Sequence, residues 1–233
     1  MTRINQNKQA LFEAATLLKN LNDEVVYVGG RIVGLLVTDV LEDDVRPTVD
    51  IDVTVEITGI IAHYALESKL EVLGFQPEGN INCRYINGDT ILDVMHTDGK
   101  LQGLNTTWYQ AGFDNAICVN LYKEKSIRIL SSTYFIASKL EAFYDRSYKI
   151  NDYWDCKDLE DIINVVNGRP ELVEEITNAE QGVKNYISQY IKQLLEDPKW
   201  LDAIKAIARE ERSRKIVLAA LEKISLLAFN QKQ

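Results

Sequence analysis

The run Val49-Asp50-Ile51-Asp52-Val53-Thr54-Val55 constrains this chain most, because its β-branched residues demand a strand while its two aspartates resist one. Strand geometry sends alternate side chains to opposite faces. Asp50 and Asp52 should therefore project together while Val49, Ile51, Val53 and Val55 face a core. Two carboxylates fixed side by side repel unless a cation sits between them, and Mg²⁺ suits such oxygen ligands. A third acid, Asp93, stands alone on the apolar run Thr90-Ile91-Leu92-Asp93-Val94-Met95. Upstream, Tyr27-Val28 leads into Gly29-Gly30 and then a helix-like stretch, Ile32–Val37. Three acids on adjacent strands beside a glycine turn suit a two-metal phosphoryl-transfer site, with Asp50, Asp52 and Asp93 as metal ligands. Plainer readings exist: acids guard exposed strand edges, and Gly-Gly can be an ordinary turn. In the functional reading, Gly29 and Gly30 let backbone N–H groups approach phosphate oxygens, and Thr48 could add a hydroxyl.

The remaining pattern predicts an α/β (α+β) chain in two parts. Residues 7–21 carry apolar positions at helical spacing, broken by Asn22-Asp23 before the β-rich Glu24–Val28. The acidic loop Leu41–Pro47 reads as a solvated turn. Residues 59–73 read as an amphipathic helix stopped by Gly74. Asn82–Ile86 and Thr90–Met95 flank Asn87-Gly88-Asp89, a strong hairpin signal that places Arg84 beside Asp93. A second hairpin, Ala116–Leu121 with Ser126–Ile129, turns at Lys123-Glu124-Lys125. From Thr133 the patterns become helical, including Val183–Leu195, Lys199–Arg209 and Ser213–Phe229, so a boundary falls near residue 130. The expected division is 1–130 for an α/β catalytic domain and 131–233 for a helical domain that closes the active site.

Composition sets limits. No apolar run approaches a membrane span, and the N-terminus lacks a signal-peptide core, which points to a cytoplasmic protein without membrane contact. Cys83, Cys118 and Cys156 suggest neither disulfides nor zinc, and His63 and His96 share no motif. The net charge of −9 argues against a broad phosphate-binding surface.

Gly29-Gly30, Asp50-x-Asp52 and Asp93 together resemble the signature of the polymerase β-like nucleotidyltransferase superfamily. Arg46-Pro47-Thr48-x-Asp50-x-Asp52, Lys139-Leu140-Glu141-Ala142-Phe143-x-Asp145-Arg146 and Lys157-Asp158-Leu159-Glu160-Asp161-Ile162 extend the resemblance to the AbiEii-type nucleotidyltransferases over about residues 20 to 180. That family includes toxins of abortive-infection and toxin–antitoxin pairs. The resemblance implies a polymerase β-like domain with a mixed sheet and a helical C-terminal bundle. It implies two Mg²⁺ ions on the acidic triad and a nucleotide triphosphate (NTP) as substrate. The acceptor it implies is a hydroxyl, with RNA such as tRNA as a candidate, and an antitoxin protein is a candidate partner. A small-molecule acceptor and a non-catalytic nucleotide- or partner-binding protein are the alternatives.

The resemblance makes Lys139 the nucleotide-contacting lysine. On residue pattern alone, Lys139 and Arg146 form a solvated basic stripe. Asp161 is the candidate downstream acid that orients Lys139 or accepts a proton, with Asp158 second, although their own helix pattern reads first as a solvated face. Arg84 could pair with the acids or with phosphate. The aromatics Tyr144, Tyr148, Tyr153 and Trp154 could stack on a base or simply cover apolar surface. Arg209, Arg212, Arg214 and Lys215, interleaved with Glu210 and Glu211, read as a solvated face and are the place to seek RNA contacts.

Overall fold

A computed structural model describes residues 2–39, 45–46, 48–79, 81–122, 125–149, 153 and 156–229. Most of the loop 41–47, the turn residues 123–124, Trp154 and the tail 230–233 lie outside the described residues. The chain divides into two compact units, Met1–Leu35 with Asp44–Ser131, and Leu36–Asp43 with Ser132–Gln233. The units change at 131–132. Segment 36–43, however, belongs with the helices rather than with the N-terminal unit. Its described part makes local bonds there: the Thr38 and Asp39 amides both donate to the Gly168 carbonyl at 2.9 Å.

The first unit is built on a mixed sheet. In chain order its elements are α1 (Arg3–Leu18), β1 (Val25–Val28), α2 (Val33–Leu36, whose last residue falls in the second unit), β2 (Ile51–Val55) and α3 (Ile60–Val72). Then come β3 (Gln76–Pro77), β4 (Arg84–Asn87), β5 (Thr90–His96), α4 (Tyr109–Asp114), β6 (Ile117–Asn120) and β7 (Ser126–Ile129). The seven strands run in the order β3-β4-β5-β2-β1-β7-β6. β1 lies antiparallel to β2 and parallel to β7, and β2 runs parallel to β5. The predicted hairpin forms as β4–β5, with Arg84 opposite Asp93. The central strands are buried on both faces, which explains why Val25, Val26, Tyr27 and Val28 form an unbroken apolar run.

The alternation reading of the aspartate strand holds only in part. Ile51, Val53 and Val55 are buried, but Val49 is 73% exposed. β2 begins at Ile51, and the Arg31 guanidinium binds the Val49 and Asp50 carbonyl oxygens at 2.5 and 2.8 Å. With those carbonyls taken by a side chain, the pleat does not extend back to Val49.

The second unit contains α5 (Ser132–Phe143), α6 (Lys157–Gly168), α7 (Leu172–Asn178), α8 (Gln181–Leu195), α9 (Pro198–Ile207) and α10 (Glu211–Ser225). Apolar stripes fix their packing: Leu159, Ile162, Ile163 and Val166 on α6, and Ile187, Ile191 and Leu194 on α8, are buried. α5 continues into a π-helical turn, Tyr144–Tyr148. There Tyr144, Tyr148, Tyr153 and Trp200 gather around Phe143, with ring centroids 5.5–6.2 Å apart. Tyr153 also donates to Asp197 at 2.7 Å. Tyr153 and Trp200 are buried in the helical unit, Tyr144 is half-buried and Tyr148 stays exposed at the edge of the cluster. Trp200 is fully buried at the end of the cluster. Trp200→Ala should cost about 3–5 kcal/mol through the cavity it leaves, measured as a lowered denaturant midpoint.

Candidate active site

Each acid of the predicted triad is placed by a strand in the first unit. Asp52 sits in β2 and pairs in register with Asp93 of parallel β5, so the two side chains rise from the same face. Asp50 precedes β2 by one residue. Across the β4–β5 hairpin, Arg84 reaches back to both ends of this row. Its Nε and Nη2 donate to the two Asp93 carboxylate oxygens, each at 2.7 Å, and Nη2 also donates to Asp50 Oδ2 at 3.2 Å. This two-point fork is the strongest geometry available to an arginine and a carboxylate. It holds the guanidinium more firmly protonated than usual, with the Asp93 hydrogen bonds outweighing the cost of burial.

Gly29 explains why the glycine turn stands here. Its φ is +71°, and a Cβ on it would lie 1.9 Å from Asp52 Oδ2. β1 pairs Val28 with Asp52, so the chain turns away immediately beside that carboxylate. Any other residue would displace Asp52 and meet strain at positive φ. Gly30 opens only a 3-10 turn, Gly30–Ile32, followed by the four residues of α2. Thr48 keeps a buried hydroxyl that makes no hydrogen bond among the described residues.

Two further side chains belong to this cluster, and sequence reading did not assign them to it. Burial lowers the affinity of Arg31 for its proton, while Asp50 and then Asp52 counteract that loss. Its position directly after Gly29-Gly30 was the available signal. Burial also pushes the Cys83 thiol up to about 11, with Asp93 adding to the shift, so this cysteine stays protonated beside the acids. Between α3 and the end of β5, His63 Nδ1 and His96 Nε2 approach to 3.3 Å, a pairing of residues 33 apart that no motif announced. Burial, then His63, makes His96 harder to protonate.

Does this donor set suit a divalent cation? Among the described residues no group of three or more His, Cys, Asp or Glu side chains is spaced to hold a metal ion. The chemistry of the locus nonetheless fits one. Asp50 and Asp93 converge on a positive group, the Arg84 guanidinium, which stands in for a cation, and Asp52 lies opposite Asp93. Oxygen donors of this kind match Mg²⁺.

The predicted residues of the second unit form a compact ionic network. Lys139 of α5 is buried, contrary to the solvated stripe that its own pattern suggested. Its ammonium lies 3.0 Å from Asp158 Oδ1 and 2.7 Å from Asp161 Oδ2, both on α6. Those acids are also buried, not on a solvated face. The helical period explains it: Asp158 and Asp161, three apart, face the same neighbour, and α5 packs on α6. The lysine therefore meets both candidate downstream acids. Arg146, whose side chain is 67% exposed, anchors on Asp158 Oδ2 at 2.6 Å. Arg209 and Arg212 are exposed, and Lys215 pairs with Glu211 at 2.6 Å, so this stretch is a solvated face.

The chain matches no protein-family model. No curated protein matches it in sequence. Among solved structures, an antigenic nucleotidyltransferase-like protein from Paracoccidioides brasiliensis aligns with 87% of this chain and 93% of its own, at 18% identity and a TM-score of 0.49. Among the described residues no helix is long and apolar enough to cross a membrane.

Two predictions follow from these geometries. Gly29→Ala should lower stability by about 1–3 kcal/mol, because positive φ and the Asp52 contact act together; chemical denaturation would measure it. For Asp158, burial raises the carboxyl pKa, but Lys139 and Arg146 more than reverse this and hold it below the ordinary carboxylate range. A depressed folded-state pKa gives stability that is present above the unfolded value of about 3.9 and is lost as pH falls through the folded value. Asp158→Asn should therefore cost about 3 kcal/mol at neutral pH. The gap to wild type should narrow progressively below about pH 4 in urea titrations at stepped pH.

Proposed function

We propose that the protein is a nucleotidyltransferase that moves a nucleoside monophosphate from an NTP to a hydroxyl acceptor. The observation that supports this most is the placement of Asp52 opposite Asp93, with Asp50 and Asp93 joined through Arg84 and Gly29 pressed against Asp52. A catalytic sheet gains nothing in stability from three neighbouring carboxylates, whose mutual repulsion must be offset by cations. Their cost is accounted for if the row binds the charge of a reacting phosphate group through divalent ions.

In this reading Asp50, Asp52 and Asp93 hold two Mg²⁺ ions, which when bound would supply Lewis-acid stabilisation of the phosphate and a more acidic acceptor hydroxyl. The protein's own work is positioning. Gly29 keeps space open beside Asp52, Arg31 braces the Asp50 backbone, and Thr48 offers a hydroxyl that makes no hydrogen bond among the described residues. Lys139, with Asp161 and Asp158 fixing its ammonium, and the exposed Arg146 supply positive charge for the triphosphate, as the AbiEii-type resemblance implies. No covalent enzyme intermediate is required. The same resemblance supports RNA, such as tRNA, as acceptor, and a cytoplasmic toxin with an antitoxin partner as the setting.

One observation favours a second acceptor class. A cavity of about 290 Å³ in the first unit is lined by His63, Glu67, Glu78, Asn82, Arg84 and Tyr85 among others. Its size is at the low end for a small-ligand site, and its two glutamates suit a small cationic alcohol.

The test is incubation with Mg²⁺ and each α-labelled NTP, with total tRNA as acceptor or without it. Transfer of label to RNA is expected with wild type and should fall at least about a hundredfold in Asp52→Asn, since the lost ligand acts mainly on the reacting phosphate. Asp52→Asn should also match or exceed wild-type stability in the absence of metal, because a like charge is removed. Label on small alcohols but not on RNA would select the second acceptor. Mg²⁺-dependent NTP binding without any transfer would replace the enzyme with a binding protein, and absence of both would end the nucleotide reading.

A further inference from the structure

Arg84 carries an inference that rests on the reading of Asp50, Asp52 and Asp93 as a cation site. Its guanidinium occupies both oxygens of Asp93 and one of Asp50. A divalent ion on Asp93 would approach those same oxygens, and its charge would repel a guanidinium at hydrogen-bonding distance. The two cations therefore compete for the carboxylate.

A second seat for the arginine is also present. Arg84 Nε lies 3.8 Å from Glu78 Oε2, beyond a hydrogen bond but within an ion pair. Glu78 and Arg84 both line the cavity of about 290 Å³, so the side chain has room on that side. It is also only partly enclosed, at 22% exposure.

We propose that Arg84 is the resident counter-ion of the acid row, and that a divalent cation competes with it for Asp93 and sends its guanidinium to Glu78 in the cavity. Arg84 is thus a positioning residue. Without metal it neutralises the carboxylates and holds Asp93 in register with Asp52. With metal it vacates the donors and pairs with Glu78 on the cavity wall. Competition of this kind makes metal affinity a direct readout of the clamp, because removing one competitor strengthens the other by the same coupling.

The experiment is Mn²⁺ titration, by calorimetry and by loss of the free-ion EPR signal, of wild type, Arg84→Gln and Arg84→Lys. Arg84→Gln removes the charge and should bind Mn²⁺ about tenfold or more tightly than wild type. Arg84→Lys keeps the charge but loses the fork and should fall between them. In wild type, phenylglyoxal modification of Arg84, followed by mass spectrometry, should rise on Mn²⁺ saturation as the guanidinium leaves the carboxylates. That arm needs no substitution, so it decides the matter if Arg84→Gln does not fold. Unchanged or weaker Mn²⁺ binding in folded Arg84→Gln, or Arg84 labelling indifferent to Mn²⁺, overturns the proposal. If the Arg84 variants behave this way while wild type still transfers nucleotide, only the clamp is refuted. If none of the proteins binds Mn²⁺, the cation reading of the acids falls with it.

Discussion

Asp52 and Asp93 on one sheet face, with Asp50 at the entrance of β2, crowd like charges that need positive charge among them, and this constraint organises the first unit. Asp52 and Asp93 are brought together by the parallel β2–β5 pairing, and Asp50 lies next to them at the strand entrance. Arg84 meets the demand from the adjacent antiparallel strand, in direct register with Asp93. Arg31 meets it from the glycine turn, where it binds the Val49 and Asp50 carbonyls and stops the pleat short of Val49. Exposure of Val49 follows from that arginine's hold on the carbonyls, the glycine at 29 from the space Asp52 takes, and the raised proton affinity of Cys83 from burial first and Asp93 second.

The same physics recurs within the helical unit at lower accessibility. Lys139 is a buried cation, and burial of an unpaired ammonium is prohibitive. Asp158 and Asp161 approach it from one helix face, and Arg146 adds a second positive group at Asp158. Such a network adds little net stability compared with an apolar core of equal volume, yet loss of one member is costly.

Legibility in the sequence differed by residue for physical reasons. Asp50, Asp52 and Asp93 could be read because aspartate in a β-branched run is locally unfavourable, and the Asn-Gly turn announced the hairpin that sets Arg84 against Asp93. Lys139, Asp158 and Asp161 were misjudged as solvated when read by pattern alone, because helical periodicity locates a face but not what covers it. The His63–His96 approach and the role of Arg31 left no mark in local pattern, since they join segments distant in sequence. The assignment of 36–43 to the helical unit escaped a contiguous division for the same reason.

By itself the sequence determined the longer strands and helices, though not β3 or α4, the change from mixed to helical character near residue 130, and which side chains carry unusual charge, because these follow from local periodicity and turn chemistry. Tertiary structure decided that β2 and β5 lie side by side in parallel, so that Asp52 faces Asp93. It also decided that an arginine holds the acids, and that the lysine of α5 is enclosed by two carboxylates of α6. Those are pairings between segments far apart along the chain, and only the packed backbone sets which of the many possible partners comes within a few ångströms.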